Sequence, residues 1–339
     1  MNWNGKRVLV TGGTGFIGSH LVDRLLGMGA EVTVCDHMYA DRPEEWKRRV
    51  NRYIETCKLH EVEPNPLIDI DLESEKTRLE TVLRNKDIDI VFHLAAKFGG
   101  RGFVDMHQAE CSAMLSIDHN VIDASYRCGV ERLHYASSAC VYPRSLQGNP
   151  EYLLKEDDIL STGDGWQSSD NLYGFAKLMG ELQLQVYHKE HEMKASTCRY
   201  LTVYGPGQLD ESHAVATLIG KAIRREDPYI VWGSGDQERG FTYVTDIIKG
   251  TILATEKITD ATPINLGWDK RYKIKNVASK ILDIAGHKPK QIIFDRSKPE
   301  GPFSRALDIT RARQMLGWEP EVDLDEGLRR TIAWRAGIA

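Results

Sequence analysis

Apolar residues recur along this chain in two rhythms, and each rhythm predicts one kind of element. Val8, Leu9 and Val10 form an unbroken apolar run, as a buried strand does. Phe16, Ile17, Leu21, Leu25 and Leu26 then recur at helical spacing, which predicts a helix from about residue 15. Further strands are expected over 31–36 and over 67–72, where LIDIDL alternates. Between them, 41–60 is dense in charge yet sets Trp46, Val50, Tyr53 and Ile54 on one side, predicting a solvated helix that caps the sheet edge. The almost wholly apolar segment 88–95 predicts a strand covered on both faces. A helix over 107–128, a strand over 132–138, a loop-rich stretch over 143–171 and a long helix over 171–191 follow. A strand over 197–203, a helix near 214–225, a strand at 229–232, a helix begun within 241–255 and a last helix over 325–337 complete the pattern.

Strand and helix alternate, so the fold class is α/β: a doubly wound parallel sheet of Rossmann type, joined to a smaller α+β domain. The sheet domain is expected over 1–203, with 241–270 returning to it, and the smaller domain over 204–240 and 271–339.

Composition narrows the possible partners. The 339 residues are 41% hydrophobic and carry a net charge of -5, which gives no electrostatic case for nucleic acid or an acidic membrane. No apolar run reaches the ~18 residues of a membrane helix. The chain enters its first strand at once, leaving no room for a signal peptide. Its six cysteines form no C-x-x-C pair, so neither a metal site nor a disulfide framework is expected. A reducing cytoplasm is the expected compartment.

The turn between the first strand and helix holds Gly12, Gly13, Gly15 and Gly18. Strand, glycine turn and helix in that order make a dinucleotide pyrophosphate site, because glycines admit the phosphates and the helix N-terminus aims free N–H groups at them. Asp36 follows Gly18 by 18 positions and ends the second strand, placed to accept from an adenosine ribose. Asp71 points at the same edge, to accept from the adenine amino group or to cap the helix begun near Ser74. The small residues after 95 let a cofactor or sugar lie against the backbone. Cofactor contacts are therefore expected at Gly12, Gly15, Phe16, Ile17, Gly18, Asp36, Asp71, Leu72, Ala95 and Lys97, and at Tyr173 and Lys177. Those last two lie four residues apart on one helix face. A free phenol titrates near ~10, so use as a base needs positive neighbours such as Lys177. Ser137 and Ser138 end the preceding strand, where the nicotinamide would lie.

The segments TGGTGFIG, HLAA, SSACVY, YGFAK and YGPG, in this order and spacing, resemble the extended short-chain dehydrogenase/reductase superfamily of nucleotide-sugar enzymes across essentially the whole chain. The resemblance implies a catalytic triad of Ser138, Tyr173 and Lys177, with Tyr173 as base toward a sugar hydroxyl. Lys177 would hold the ribose and lower the phenol's pKa, and Ser138 would orient the hydroxyl. SSACVYP, AAKFGGRGF, IVWGSG, FDRSKPEG and RALDITRARQMLGW are also similar to the families of GDP-mannose 3,5-epimerase and GDP-fucose synthase. In both, the cysteine at the position of Cys140 works with a residue beyond the YGP turn. That residue is a lysine in the first family and the histidine of a Ser-His pair in the second, the form that Ser212-His213 matches. On the residues alone, Cys140 is equally an inert buried thiol and His213 a loop histidine. Gly99, Gly100, Arg101 and Ser138 are expected at the sugar. Arg239 and Arg305 match positions where relatives bind phosphates, with Lys221 a weaker candidate; a guanidinium suits a diphosphate. Thr202 departs from the Asn that relatives carry in the RxxNxYGP segment, here 199–206.

The chemistry requires such a pair. Oxidation at C4 acidifies the protons at C3 and C5, and inversion needs one group to remove a proton and another to deliver one on the opposite face. Cys at ~8.5 and His at ~6.5 bracket neutral pH and exchange those roles. Asp36 favours NAD, since a carboxylate repels a 2′-phosphate. The expected protein is an NAD-dependent nucleotide-sugar epimerase acting on a GDP-hexose, a homodimer by the same resemblance. The alternatives are an epimerase-reductase of the GDP-fucose synthase type, a UDP-sugar 4-epimerase, a 4,6-dehydratase, and a non-catalytic NAD-binding redox sensor. The dehydratase is least favoured, because its relatives carry an Asp-Glu pair where this chain has Ala139-Cys140.

Overall fold

The computed structural model describes residues 1–37, 43–65, 67–97, 99–160, 169–209, 212–298 and 300–337, the side chains of Pro43, Arg101 and Leu160 excepted. In chain order the first half runs β1 (Arg7–Thr11), α1 (Phe16–Gly27), β2 (Glu31–Asp36), α2 (Pro43–Leu59), β3 (Ile68–Asp69), α3 (Lys76–Asn85), β4 (Ile90–His93), α4 (Arg101–Met106), α5 (Gln108–Arg127), β5 (Arg132–Ser138) and α6 (Asn171–His191). It continues with β6 (Ala195–Tyr200), β7 (Val203–Tyr204), α7 (Ala214–Ile223), β8 (Tyr229–Trp232), β9 (Glu238–Arg239), β10 (Thr242–Tyr243), α8 (Val244–Lys257), β11 (Asp260–Leu266), β12 (Tyr272–Lys273), α9 (Ile274–Ile284), β13 (Ile292–Asp295), β14 (Ser304–Arg305) and α10 (Leu324–Arg335).

Seven strands in the order β11-β6-β5-β4-β1-β2-β3 form one parallel sheet, the doubly wound α/β architecture expected. Alternation sorts its two faces. Val8 and Val10 pack with Leu21 and Leu25 of α1 and Ile248 of α8, whereas Leu9 packs with Leu79 of α3, Val121 of α5 and Leu184 of α6. Burial of each such side chain contributes about 2 kcal/mol. The order of strands reverses between β1 and β4, and ligands bind beyond the strand ends at such a point.

A second core gathers Tyr204, Leu218 of α7, Tyr229 of β8, Phe241, Val277 of α9 and Leu328 of α10. Around it lie the pair β13-β8 and the three-stranded sheet β12-β9-β14.

Several expectations need correction. The third strand stops at Asp69, because its partner β2 runs out at Asp36. The Asp71 carboxylate then turns the chain by accepting from the Glu73 N–H (3.0 Å) and the Ser74 hydroxyl (2.8 Å). The strand expected over 197–203 divides at Thr202, whose φ of 36° breaks the extended backbone. Its second part, β7, pairs with β10 instead of the main sheet. The helix begun within 241–255 starts at Val244, after β10. The helix read over 107–128 is preceded by a separate one, α4, which periodicity did not indicate. Of the charged stretch 41–60, 41 and 42 lie outside the described residues, and the rest forms α2 as expected.

Two buried polar arrangements tie these elements together. Glu181 of α6 receives Nε (2.9 Å) and Nη2 (2.6 Å) of Arg199 on β6, both side chains being buried. His134 of β5 meets the Ser196 hydroxyl (2.9 Å) and the Tyr200 phenol (3.1 Å) with no exposure to solvent. Burial lowers its pKa from 6.5 to about 3. The unfolded chain therefore protonates this imidazole well before the folded one does. The stability it contributes is present above pH ~6.5 and is lost as pH falls toward 3, by about 1.4 kcal/mol per unit. Urea unfolding between pH 6 and 4.5 should show a slope of stability against pH that is shallower by about that amount in His134→Gln. An unchanged slope would show that His134 takes up no proton on unfolding.

Candidate active site

The glycine turn is closed from within. Gly12 has a φ of +70°, and a Cβ there would stand 2.9 Å from the Ala95 nitrogen at the end of β4. A Cβ on Gly18 would overlap the Gly12 carbonyl oxygen. Gly15 caps α1 with no side-chain hydrogen bond, so no capping side chain occupies the N–H groups of the first turn. Asp36 accepts from the Thr14 N–H (3.0 Å) and hydroxyl (2.6 Å), and its second oxygen accepts from the His37 N–H (2.9 Å). This cradle fits a dinucleotide: its glycines let the turn close on itself ahead of the N-terminus of α1, and a carboxylate stands at its rim.

The other expected cofactor contacts divide by environment. Phe16 lies edge-on to His20 with ring centroids 5.9 Å apart, and Ile17 packs into the core. Leu72 is buried in the core, so only its backbone is open to a ligand, and its carbonyl already accepts from Asn120 (2.9 Å). The Lys97 ammonium is ion-paired with Glu73. The Ala95 N–H donates to the Thr11 hydroxyl (3.2 Å).

Ser138, Cys140, Tyr173 and Lys177 come together at the ends of β5 and α6. The Ser138 oxygen accepts from the Cys140 N–H (3.2 Å) and hydrogen bonds the Tyr173 phenol. Burial pushes that phenol well above its usual range; the Cys140 thiol nearby adds to the rise, and the Ser138 contact opposes it. Lys177, 2% exposed, stands 4.6 Å from the centroid of the Tyr135 ring. Burial pulls its pKa down, and the carboxylates of Asp118 and Glu181 push it back up. Gly174 allows α6 to approach, since a Cβ there would overlap the Cys140 carbonyl oxygen.

Sequence reasoning missed Thr11, His93 and Asp118. The Thr11 hydroxyl meets His93 Nδ1 (2.8 Å), His93 Nε2 meets Asp118 (3.0 Å), and the other Asp118 oxygen accepts from the Tyr135 phenol. A buried relay of polar groups thus joins the glycine cradle to the Lys177 cation. Asp118 is one of two aspartates of α5 and carries no motif, so it gave no signal for it. Asp170 and Gln147, both buried beside Arg305, were missed for the same reason.

The remaining candidates occupy the rim. The Gly100 N–H donates to the Ser212 hydroxyl (2.8 Å), which lies 3.2 Å from His213 Nδ1, and a Cβ on Gly100 would overlap the Ser212 carbonyl oxygen. A Cβ on Gly99 would crowd Phe103, which with Val104 packs around Cys140 and Tyr173. Short helix α4 therefore connects the His213 segment to the cysteine. Arg101 opens α4, and its side chain lies outside the described residues. Arg239 and Arg305 are register partners in β9 and β14. Arg239 donates to the Glu238 carbonyl (2.7 Å), while Arg305 turns toward Cys140. Lys221 donates to the Ile230 carbonyl (2.7 Å). Among the described residues, no cluster of His, Cys, Asp or Glu is disposed to hold a metal ion, and no helix is long and apolar enough to cross a membrane.

A parallel sheet with a dinucleotide cradle at its switch point and a Ser-Tyr-Lys set beside it defines an enzyme of the extended short-chain dehydrogenase/reductase type. The chain belongs to the NAD dependent epimerase/dehydratase family, whose model matches residues 8–267, and its cofactor is NAD. It is 30% identical over 333 residues to GDP-mannose 3,5-epimerase 1 of Oryza sativa subsp. indica, covering 97% of this chain and 81% of that protein. UDP-glucuronate 4-epimerase of Thermodesulfobacterium geofontis is 32% identical over 332 residues, covering 96% of this chain and 95% of that one. Among solved structures, UDP-glucuronic acid 4-epimerase from Bacillus cereus, in complex with UDP-glucuronic acid and NAD, superposes with a TM-score of 0.78 at 28% identity, covering 97% and 98% of the two chains.

Gly18→Ala tests the cradle. The added carbon must displace the Gly12 carbonyl, and NAD affinity measured by calorimetry should fall at least tenfold, about 1.4 kcal/mol. Unaltered affinity would mean that the loop yields without cost.

Proposed function

We propose that this enzyme is a GDP-hexose epimerase that oxidises its sugar transiently at C4 and inverts C3, C5 or both. The placement of Cys140 against Tyr173 carries the reading, since it sets a second proton carrier beside the group expected to act on the C4 hydroxyl. NAD, when bound, supplies a hydride acceptor for C4 and a positive ring charge. Gly12, Gly15, Gly18 and Asp36 would hold it. Tyr173 takes the C4 hydroxyl proton, and Ser138 orients that hydroxyl. The buried phenol needs cationic neighbours to serve at neutral pH, and Lys177 is one. A change of three pKa units amounts to about 4 kcal/mol. With C4 a ketone, the neighbouring C–H groups become acidic. Cys140 exchanges a proton on one face and His213 on the other. The contact of Gly100 with Ser212 supports the second role, because it anchors the His213 segment at the end of β4. Arg239 is assigned to the diphosphate, with Lys221 and the Gly99–Gly100 turn at the edge of the substrate site.

A 4-epimerase acting on a UDP-sugar is the second reading. It is supported by the match to UDP-glucuronate 4-epimerase, which is at least as high in identity as that to the GDP-mannose enzyme. Turnover of GDP-mannose in deuterated water, with NAD supplied, separates the two. The primary reading expects isomeric products that gain one or two deuterons, with exchange reduced by about 10² to 10⁴ in Cys140→Ala. Isomers without deuterium would place all the chemistry at C4, and the absence of any product would remove GDP-mannose as the substrate.

The same reading includes a homodimer through α5 and α6, supported by the half-exposed apolar side chains of Tyr126, Leu182 and Val186. Light scattering should give twice the 38.3 kDa chain mass, and Val186→Glu should return the single mass. A wild-type monomer would refute the dimer.

A further inference from the structure

Arg305 matches a phosphate-binding position, yet its guanidinium is committed elsewhere. Nε donates to the Gln147 oxygen (2.5 Å), Nη2 to Asp170 (2.8 Å) and Nη1 to the Cys140 sulfur (3.5 Å). Its partners are fixed in turn. The Gln147 amide donates to the carbonyls of Tyr142 (3.0 Å) and Pro143 (3.2 Å), which leaves its oxygen facing Arg305. Asp170, 1% exposed, receives Arg144 on its other oxygen (2.9 Å), and its N–H donates to the Cys140 carbonyl (2.8 Å). The guanidinium is thus held in one orientation, with an N–H directed at sulfur.

We propose that Arg305 is the counter-cation of a Cys140 thiolate, a positioning residue that acts through the cysteine in place of gripping the diphosphate. The inference rests on the reading of Cys140 as a proton carrier. A thiolate, not a thiol, removes a proton from carbon, and an adjacent guanidinium favors the thiolate while itself remaining charged at any working pH. Among the described residues, the other groups facing Cys140 do not supply that charge. Burial raises the pKa of the Tyr173 phenol of α6 and of the Cys111 thiol of α5, neither group is ever a cation, and Ser138 is neutral. The Asp170 carboxylate is shared between Arg305 and Arg144 and takes only Nη2 of Arg305, which leaves Nη1 directed at sulfur. Asp105 of α4 accepts from the same Arg144 nitrogen that reaches Asp170 (3.4 Å).

The rate of alkylation of Cys140 by iodoacetamide against pH, read by peptide mass, tests this without any sugar. A Cys128→Ser background removes the other partly exposed thiol. Arg305→Met should move the midpoint up by at least one unit and slow alkylation at pH 7 about tenfold. Arg305→Lys keeps the charge without the three-way fork, so it should move the midpoint in the same direction by less, and it serves should the methionine variant not fold. An unmoved midpoint in either folded variant, with weakened GDP-mannose binding, would overturn the inference and return Arg305 to the diphosphate. A midpoint that shifts in a protein showing no deuterium exchange would overturn the epimerase reading while leaving the ion pair standing.

Discussion

A carboxylate with no access to water, Asp118, has to find its compensation inside the protein, and the top of the sheet is arranged around that need. Desolvation of an ion costs several kcal/mol unless hydrogen bonds and an opposite charge offset it. Here the His93 imidazole and the Tyr135 phenol satisfy the carboxylate, and Lys177 lies across the same phenol ring. Since Thr11 continues the relay to the residues that close the glycine turn, the ends of β1 and β4 are held in one geometry with α5 and β5. The cation beside Tyr173 is therefore fixed by a charge on a different helix, α5.

Much of the scaffold was legible in the chain. The segments 31–36, 132–138, 171–191 and 229–232 were each read with the bounds later observed, because charged, polar, proline or glycine residues mark their edges. The failures have local causes. At 67–72 the alternation persists through buried Ile70, but a strand needs a partner as well as a pattern, and β2 has already ended. At Thr202 a positive φ, invisible to periodicity, separates two strands that share one apolar run. Helix α4 is a single short stretch after glycines, too brief to display a period.

The candidate site was legible where its members are joined by short spacing, as in the glycine turn and Tyr173–Lys177. It was hidden where function arises from side chains meeting across the fold. Arg305 and Cys140 are 165 positions apart, and the direction of the guanidinium depends on Gln147 and Asp170, neither of which carries a motif. Spacing identifies the arginine; only geometry reveals what it touches.

Helix α6 has one more implication. Lys177 and Glu181 sit a turn apart on it with opposite charges, and each is answered by a different neighbour, Asp118 on α5 and Arg199 on β6. Docked on one neighbour alone, the helix would leave part of that compensation unmade. Its attachment therefore couples α5, α6 and β6, and the amides of this unit should exchange with solvent together. Tyr173 and Lys177, two of the residues proposed for catalysis, stand on that unit.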